Sequence, residues 1–282
     1  MLIGGAGSPN VSTTTSFPNG TYTLTGFGSG AYTVTPTKTG GQNSITSFDA
    51  ARISQHVTGN GPLMGNQLIV ADVSNNGSVT SFDASQLARY TISAPPYGST
   101  GSWRFLPVDI TYSSVSGNIL GEDYTALLMG EVSGNWTDTG TRSTSAGGPE
   151  RAAAIKLPEI VSPVDKEILI PVNVQRVANK GVISYEFDLI YDPKVIQPEA
   201  DPVDVAGTAS RGFFFLSNAN EPGLLRVVMY GPKPIDGNGV LLNLRFTAVG
   251  ASGSLSPLVW ERFTFNEGDP HVITSAGQIK LF

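Results

Sequence analysis

Side chains that alternate between apolar and polar constrain this chain more than any other feature. Ile168, Ile170, Val172 and Val174 share one face of an extended segment. So do Ile183, Tyr185, Phe187, Leu189 and Tyr191, and again Leu242, Leu244, Phe246 and Ala248. A period of two belongs to a strand with one face in a core, and clusters of Gly, Pro and Asn separate the runs. The pattern predicts an antiparallel β-sandwich over 151–282, closed by the C-terminal segment GQIKLF, whose last Phe suits a strand packed into a sheet.

The front of the chain carries the same signal in shorter form. In 20–36, GTYTLTGFGSGAYTVTP, Tyr22 and Leu24 share a face, Tyr32 and Val34 share another, and Gly26 to Gly30 supply a turn. That reads as a hairpin. Further β-like sequence returns at 103–130, while the stretch between has another character. The expected organisation is one β-sandwich built from 1–36 and 101–136, with 37–100 inserted at a loop tip, where little buried backbone is disturbed. Residues 137–150, TDTGTRSTSAGGPE, lack periodicity and read as a flexible linker. The fold class is mainly β and multidomain: two antiparallel β-sandwiches plus a small α-helical insert.

Composition narrows the function. The 282 residues carry a net charge of −6 with no basic stripe, which argues against nucleic acid. No apolar run approaches the ~20 residues that span a bilayer. The absence of cysteine leaves no disulfide and fits a secreted bacterial or archaeal protein. The opening MLIGGAGSPNVSTTT lacks the basic start and apolar core of a secretory signal and reads as the interior of a β-domain, as in a mature or truncated form. The histidines, His56 and His271, stand in no nucleophile or zinc arrangement, and Glu122 and Asp123 are adjacent, so a strand points them to opposite sides. The chain does not read as an enzyme.

The insert says one thing twice: TSFDAARISQHVT at 46–58 and TSFDASQLARYTI at 80–92. The second copy follows ADVSNNGSV. Counted from Asp72, oxygen-bearing residues fall at the ligand positions of a calcium loop: Asp72, Ser74, Asn76, Ser78 through its carbonyl, Thr80 and Asp83. Gly77 stands at the sharp turn and Val79 at the apolar eighth place. All are hard oxygens, as calcium requires, but only two are carboxylates, so modest affinity is expected. The competing account is an Asx-rich turn that caps a helix without metal. Leu87, Ala88 and Phe82 are expected to point inward from that helix. The first copy is degenerate. Counted back from Asp49, its first position is Lys38, and the expectation is a loop without calcium in which Lys38 either pairs with Asp49 or points to solvent. A third fragment, GEVSGNW at 130–136, echoes the motif at Glu131, Ser133 and Asn135 but has no helix after it and reads as a turn.

These motifs carry three resemblances. The paired loop-helix units resemble dockerin modules (EF-hand-type), and the resemblance covers 38–92. The phrases NGTYTLTGF and GAYTVTP resemble the carboxypeptidase-regulatory-like (prealbumin-like) β-sandwich. The stretches EILIPVNVQRVANKGVISYEFDLIYDPKVIQPE and GLLRVVMYGPKPIDGNGVLLNLRFTAVG resemble a cohesin. The dockerin resemblance implies Ca2+ as cofactor. It also implies partner-binding pairs at loop positions ten and eleven, here Ser47 with Phe48 and Ser81 with Phe82, joined by the equivalent pair Gln55 and Arg89. Both phenylalanines also suit a core role. A chain with both plug and socket implies an extracellular structural protein that docks on other copies of itself, head to tail, as a filament, tube or surface layer. Closure within one chain competes, since a 14-residue linker reaches roughly 20 Å. The alternative function is a scaffold or adaptor that docks other secreted proteins, other cohesin or dockerin proteins among them, or carbohydrate.

Overall fold

The structure is a computed structural model and describes residues 1–137 and 152–282; most of the expected linker lies outside these. The front unit contains β1 (Leu2–Ala6), β2 (Val11–Thr14), β3 (Tyr32–Thr37), α1 (Ser47–Val57), α2 (Asn66–Ala71), α3 (Ser81–Thr91), β4 (Trp103–Leu106), β5 (Ile110–Tyr112) and β6 (Thr125–Leu128). One sheet has the order β2-β1-β3-β5, and β4 pairs with β6 in a second. Strands from before and after the helices therefore meet in one sheet.

The hairpin expected over 20–36 is only half present. Tyr32 and Val34 are buried in β3, but 20–29 joins no ladder, although Tyr22 and Leu24 remain more covered than Thr21, Thr23 and Thr25. The reason lies in the sheet order. Both edges of β3 are taken, by β1 and β5, so the preceding segment has no edge to pair with. Tyr22 instead ties it down by donating to the Glu122 carbonyl at 2.6 Å.

The helices form where local chemistry dictates. Thr46 and Thr80 each cap a helix in a reciprocal box: the threonine oxygen accepts from the backbone, while the Asp49 or Asp83 carboxylate accepts the N–H of the capping threonine. Ala50, Ala51 and Ile53 of α1, and Ala84, Leu87 and Ala88 of α3, are buried and pack the two helices together. Phe82 is 57% exposed, against the expectation that it points inward. Three and four residues beyond it come Ser85 and Gln86, so it stands on the polar face of its helix. The short α2 went unpredicted.

The rear unit contains β7 (Ala153–Lys156), β8 (Glu159–Ser162), β9 (Glu167–Gln175), β10 (Ser184–Ile190), β11 (Ile196–Asp204), β12 (Phe214–Asn218), β13 (Leu224–Tyr230), β14 (Gly239–Ala248), β15 (Leu255–Phe265), β16 (Val272–Ser275) and β17 (Gly277–Leu281). Two sheets, β12-β13-β10-β15-β17-β8 and β11-β14-β9-β7-β16, enclose one core. The alternating residues fill it: Ile170, Val172, Val174, Tyr185, Phe187, Leu189, Leu242, Leu244, Phe246 and Ala248 have no exposure. The sheets are not wholly antiparallel, as the pattern had implied. β16 runs parallel to β7 at the edge of one sheet, and β17 runs parallel to β8 in the other, where it lies between β15 and the edge strand β8.

Phe246 packs edge-on against Tyr191 with ring centres 5.2 Å apart. Phe246→Ala is expected to lower stability by about 3–5 kcal/mol, read from the shift in guanidinium midpoint at unchanged slope.

Candidate docking face and metal loops

A strand that buries one face in a sandwich normally leaves the other to water. β10 does not. Tyr185 and Phe187 fill the core, yet Ser184 and Glu186, on the opposite face, are also buried. The cover is α1, which lies across β10 and β13. Ile45, Ala50, Ile53, Leu87 and Ile92 of the front unit form one buried cluster with Ile183, Val228 and Tyr230 of the rear sandwich.

Polar contacts fix the register of this seam. The Ser47 backbone N–H donates to Glu186 Oε2 at 2.9 Å. The other Glu186 oxygen accepts from Arg262 Nη1 at 2.6 Å, and Arg262 also reaches Asp188 at 3.3 Å. Asn218 Nδ2 donates to the Ile92 carbonyl at the end of α3, 2.8 Å away, inside the protein. At the rim, Ser133 Oγ lies 2.7 Å from Glu267 Oε1. A buried carboxylate must be met by donors, and Glu186 is met from both sides.

The expected partner-binding residues divide between the repeats. Ser47 is fully buried at the seam and contacts the sandwich through its backbone; among the described residues its hydroxyl has no hydrogen-bond partner. Phe48 is half-buried against the apolar cluster. Ser81 and Phe82 face solvent. Gln55 accepts from Arg52 at 2.8 Å, and Arg89 is half-buried on α3. Sequence reasoning missed Glu186, Asn218, Arg262 and Glu267. The available signal was the charge of Glu186 and Asp188 on the side of β10 that the core does not need.

The loop before α3 is closely ordered. Asp72 Oδ1 accepts from Ser74 Oγ at 3.2 Å and from the Asn76 N–H at 3.1 Å, while Oδ2 accepts from the Gly77 N–H at 2.9 Å. Asp83 Oδ1 accepts from the Ser74 N–H at 3.0 Å, and its Oδ2 from the Thr80 N–H at 2.9 Å. Asn76 Oδ1 accepts from the Ser78 N–H at 2.9 Å. Asn75 and Gly77 have φ of 57° and 85°, the left-handed backbone that lets so short a loop turn back on itself. Both carboxylates thus hold Ser74, and the surrounding donors are all hard oxygens. The set fits a hard divalent cation. Among the described residues no three Asp, Glu, His or Cys side chains form a ready cluster, so an ion here would complete its shell with neutral oxygens.

The loop before α1 departs from the expected pairing. Lys38 does not reach Asp49; its ammonium lies 5.0 Å from the ring centre of Trp103 and 5.2 Å from that of Trp136, over their faces. Asp49 is fully buried behind residues 132–133 and accepts backbone N–H groups from Val132 (2.8 Å), Ser133 (2.9 Å) and Thr46 (2.9 Å). Burial, followed by the nearby Glu267 and Glu131, pushes its carboxyl up to about 8. Trp103 and Trp136 pack edge to face at 5.2 Å and donate to the Gly40 and Gly41 carbonyls.

Comparison with known families separates the two halves. Residues 41–91 match the dockerin type I domain, and residues 153–280 match the cohesin domain. The chain therefore joins a dockerin to a cohesin, in that order. Type I dockerin domains are calcium-binding, EF-hand-like modules, and both modules are non-catalytic interaction domains. Similar solved structures include a type I cohesin–dockerin complex from Clostridium thermocellum (17% identity, 46% of this chain and 99% of that chain, TM-score 0.40). Others are a non-cellulosomal cohesin from the hyperthermophilic archaeon Archaeoglobus fulgidus (21%, 46% and 91%, TM-score 0.39) and a cohesin from Clostridium acetobutylicum solved in solution (19%, 46% and 91%, TM-score 0.39). No curated protein matches the chain. Cohesin and dockerin modules typically occur in extracellular or cell-surface proteins. No helix among the described residues is long and apolar enough to cross a membrane.

Removing Glu186 leaves the buried Ser47 N–H without an acceptor, a loss of about 1.5–3 kcal/mol. Glu186→Ala is expected to speed hydrogen exchange at the Ser47 amide by about tenfold or more, while amides in β14 are unchanged. In the dockerin, calcium at about a hundredfold over its dissociation constant is expected to add about 2.7 kcal/mol. A calorimetric melting temperature that rises with calcium, falls with chelator, and responds less in Asp72→Asn is the corresponding measurement.

Proposed function

We propose that this chain is an extracellular structural subunit whose dockerin is made for the cohesin face of its own sequence, with calcium stiffening the docking helices. The observation that carries this reading is the Ser47–Glu186 hydrogen bond, buried within an apolar seam that shields both partners. Calcium in the second loop would be held by Asp72, Ser74, Asn76, the Ser78 carbonyl, Thr80 and Asp83. It would supply positive charge to two carboxylates and fix the start of α3. The flanking strands of the front unit, 1–36 and 101–136, are read as a carboxypeptidase-regulatory-like β-domain that presents the insert.

The docking contact lies within one chain, whereas the sequence had favoured contacts between chains. Head-to-tail growth into a filament, tube or layer then works by exchange: a released dockerin takes the same face on a neighbour, and the contact, being heterologous, propagates. A tethered partner has an effective concentration on the order of millimolar, so the closed form dominates in dilute solution. A second reading, an adaptor for other cohesin-bearing proteins, draws on the exposed Ser81 and Phe82 of the second repeat.

Static light scattering with calcium tests the first reading. Molar mass should equal the 29.6 kDa monomer in dilute solution and rise as concentration approaches the millimolar range, and Glu186→Ala should abolish the rise. Monomer at every concentration would contradict self-assembly; growth that Glu186→Ala does not alter would place the contact elsewhere.

A further inference from the structure

The loop before α1 lacks the first half of a calcium loop in sequence, yet the fold restores it from a distant segment. Residues 131–135 lie against the capping box of α1 as residues 72–76 lie against that of α3. Four bonds recur in both sets, while the Val132 N–H adds a bond to Asp49 Oδ1 that has no counterpart at Val73. Ser74 N–H donates to Asp83 Oδ1 at 3.0 Å, and Ser133 N–H donates to Asp49 Oδ1 at 2.9 Å. Ser74 Oγ and Asn76 N–H donate to Asp72 Oδ1; Ser133 Oγ and Asn135 N–H donate to Glu131 Oε1, at 2.9 and 3.0 Å. Thr80 and Thr46 each donate their N–H to the carboxylate three residues on, both at 2.9 Å. Val73 and Val132, the residues between, are both fully buried.

Matching bonds within a loop show its shape and not its occupant. A separate observation points to one. Asn135 occupies the place of Asn76, whose Oδ1 is satisfied by the Ser78 N–H. Among the described residues, Asn135 Oδ1 is shut off from solvent and has no hydrogen-bond partner, and neither has the hydroxyl of Ser44, which is 3% exposed and occupies the place of Ser78. A buried acceptor oxygen left without a donor is costly and calls for something positive that the described residues do not provide.

We infer that Glu131, Ser133 and Asn135, together with the Ser44 carbonyl, Thr46 and Asp49, form a second divalent-cation site split between two distant segments. Hard oxygens make calcium the class of ion. The site differs from the continuous pattern in two ways: its first carboxylate enters from 82 residues beyond Asp49 (131 less 49), and it stands at the domain seam. Ser133 Oγ, within reach of Glu131, also lies 2.7 Å from Glu267 of the cohesin domain. An ion here would tie the return strand of the front unit to α1 and brace the docking face from beneath. That inference rests on the loop chemistry and not on self-assembly, and its failure is separable, because ions are counted per chain in monomer and multimer alike.

The test is a count of calcium bound to the full chain after chelator treatment, by isothermal titration with calcium chloride and by native mass spectrometry. Two ions per chain are expected in the wild type, one in Asp72→Asn, and one in Glu131→Gln. Should Glu131→Gln fail to fold, the wild type and Asp72→Asn decide. One ion in the wild type, none in Asp72→Asn, or two in a folded Glu131→Gln would overturn the split site.

Discussion

The arrangement depends on a carboxylate that neither domain could bury alone. Glu186 stands on the outer face of β10, 3% exposed, with Arg262 on one side and the start of α1 on the other. In an isolated sandwich that face would be wet and the carboxylate hydrated. Covering it removes water from a charge, which is tolerable only if donors replace the water at good geometry. The helix N-terminus is such a donor: its first N–H groups have no partner within the helix, and the helix dipole favours a negative group there. The charge thus selects which part of the dockerin may sit on the sandwich, and the apolar cluster around Ile53 and Val228 supplies the larger attraction without direction of its own.

This explains why two nearly identical repeats have different fates in one chain. Ser47 and Ser81 follow the same capping threonine and precede the same phenylalanine, yet the first is buried and the second exposed. The repeats are equivalent as helices but not as neighbours: the segment 131–136 lies beside the first, and through Ser133 and Glu267 it also touches the sandwich.

Much of the fold was legible in the residues. Alternation placed the cohesin strands because a core face admits little else, and every residue named for the Leu242 to Ala248 face is fully buried. The helices were legible because capping chemistry is local. The failures share one physical origin, which is contact between segments far apart in the chain. The ladder partners of β3 come from Leu2 to Ala6 and from Ile110 to Tyr112, so an expected hairpin lost its edge. Lys38 was assigned to Asp49 by counting along the loop, whereas the Asp49 carboxylate is met from Val132 and Ser133. Glu186 could be seen as a charge on an alternating strand, but what covered it could not.

The central claim is that α1 rests on the outer face of β10 and β13 in the same chain. Because the chain has no cysteine, spin labels can be placed at Asn60, exposed just beyond α1, and at Asn220, exposed beside β13, with pulsed electron resonance measuring their separation. A single narrow distance distribution, unchanged when labelled protein is diluted into unlabelled protein, is the predicted result. A broad distribution, or one that fades on dilution, would contradict the account.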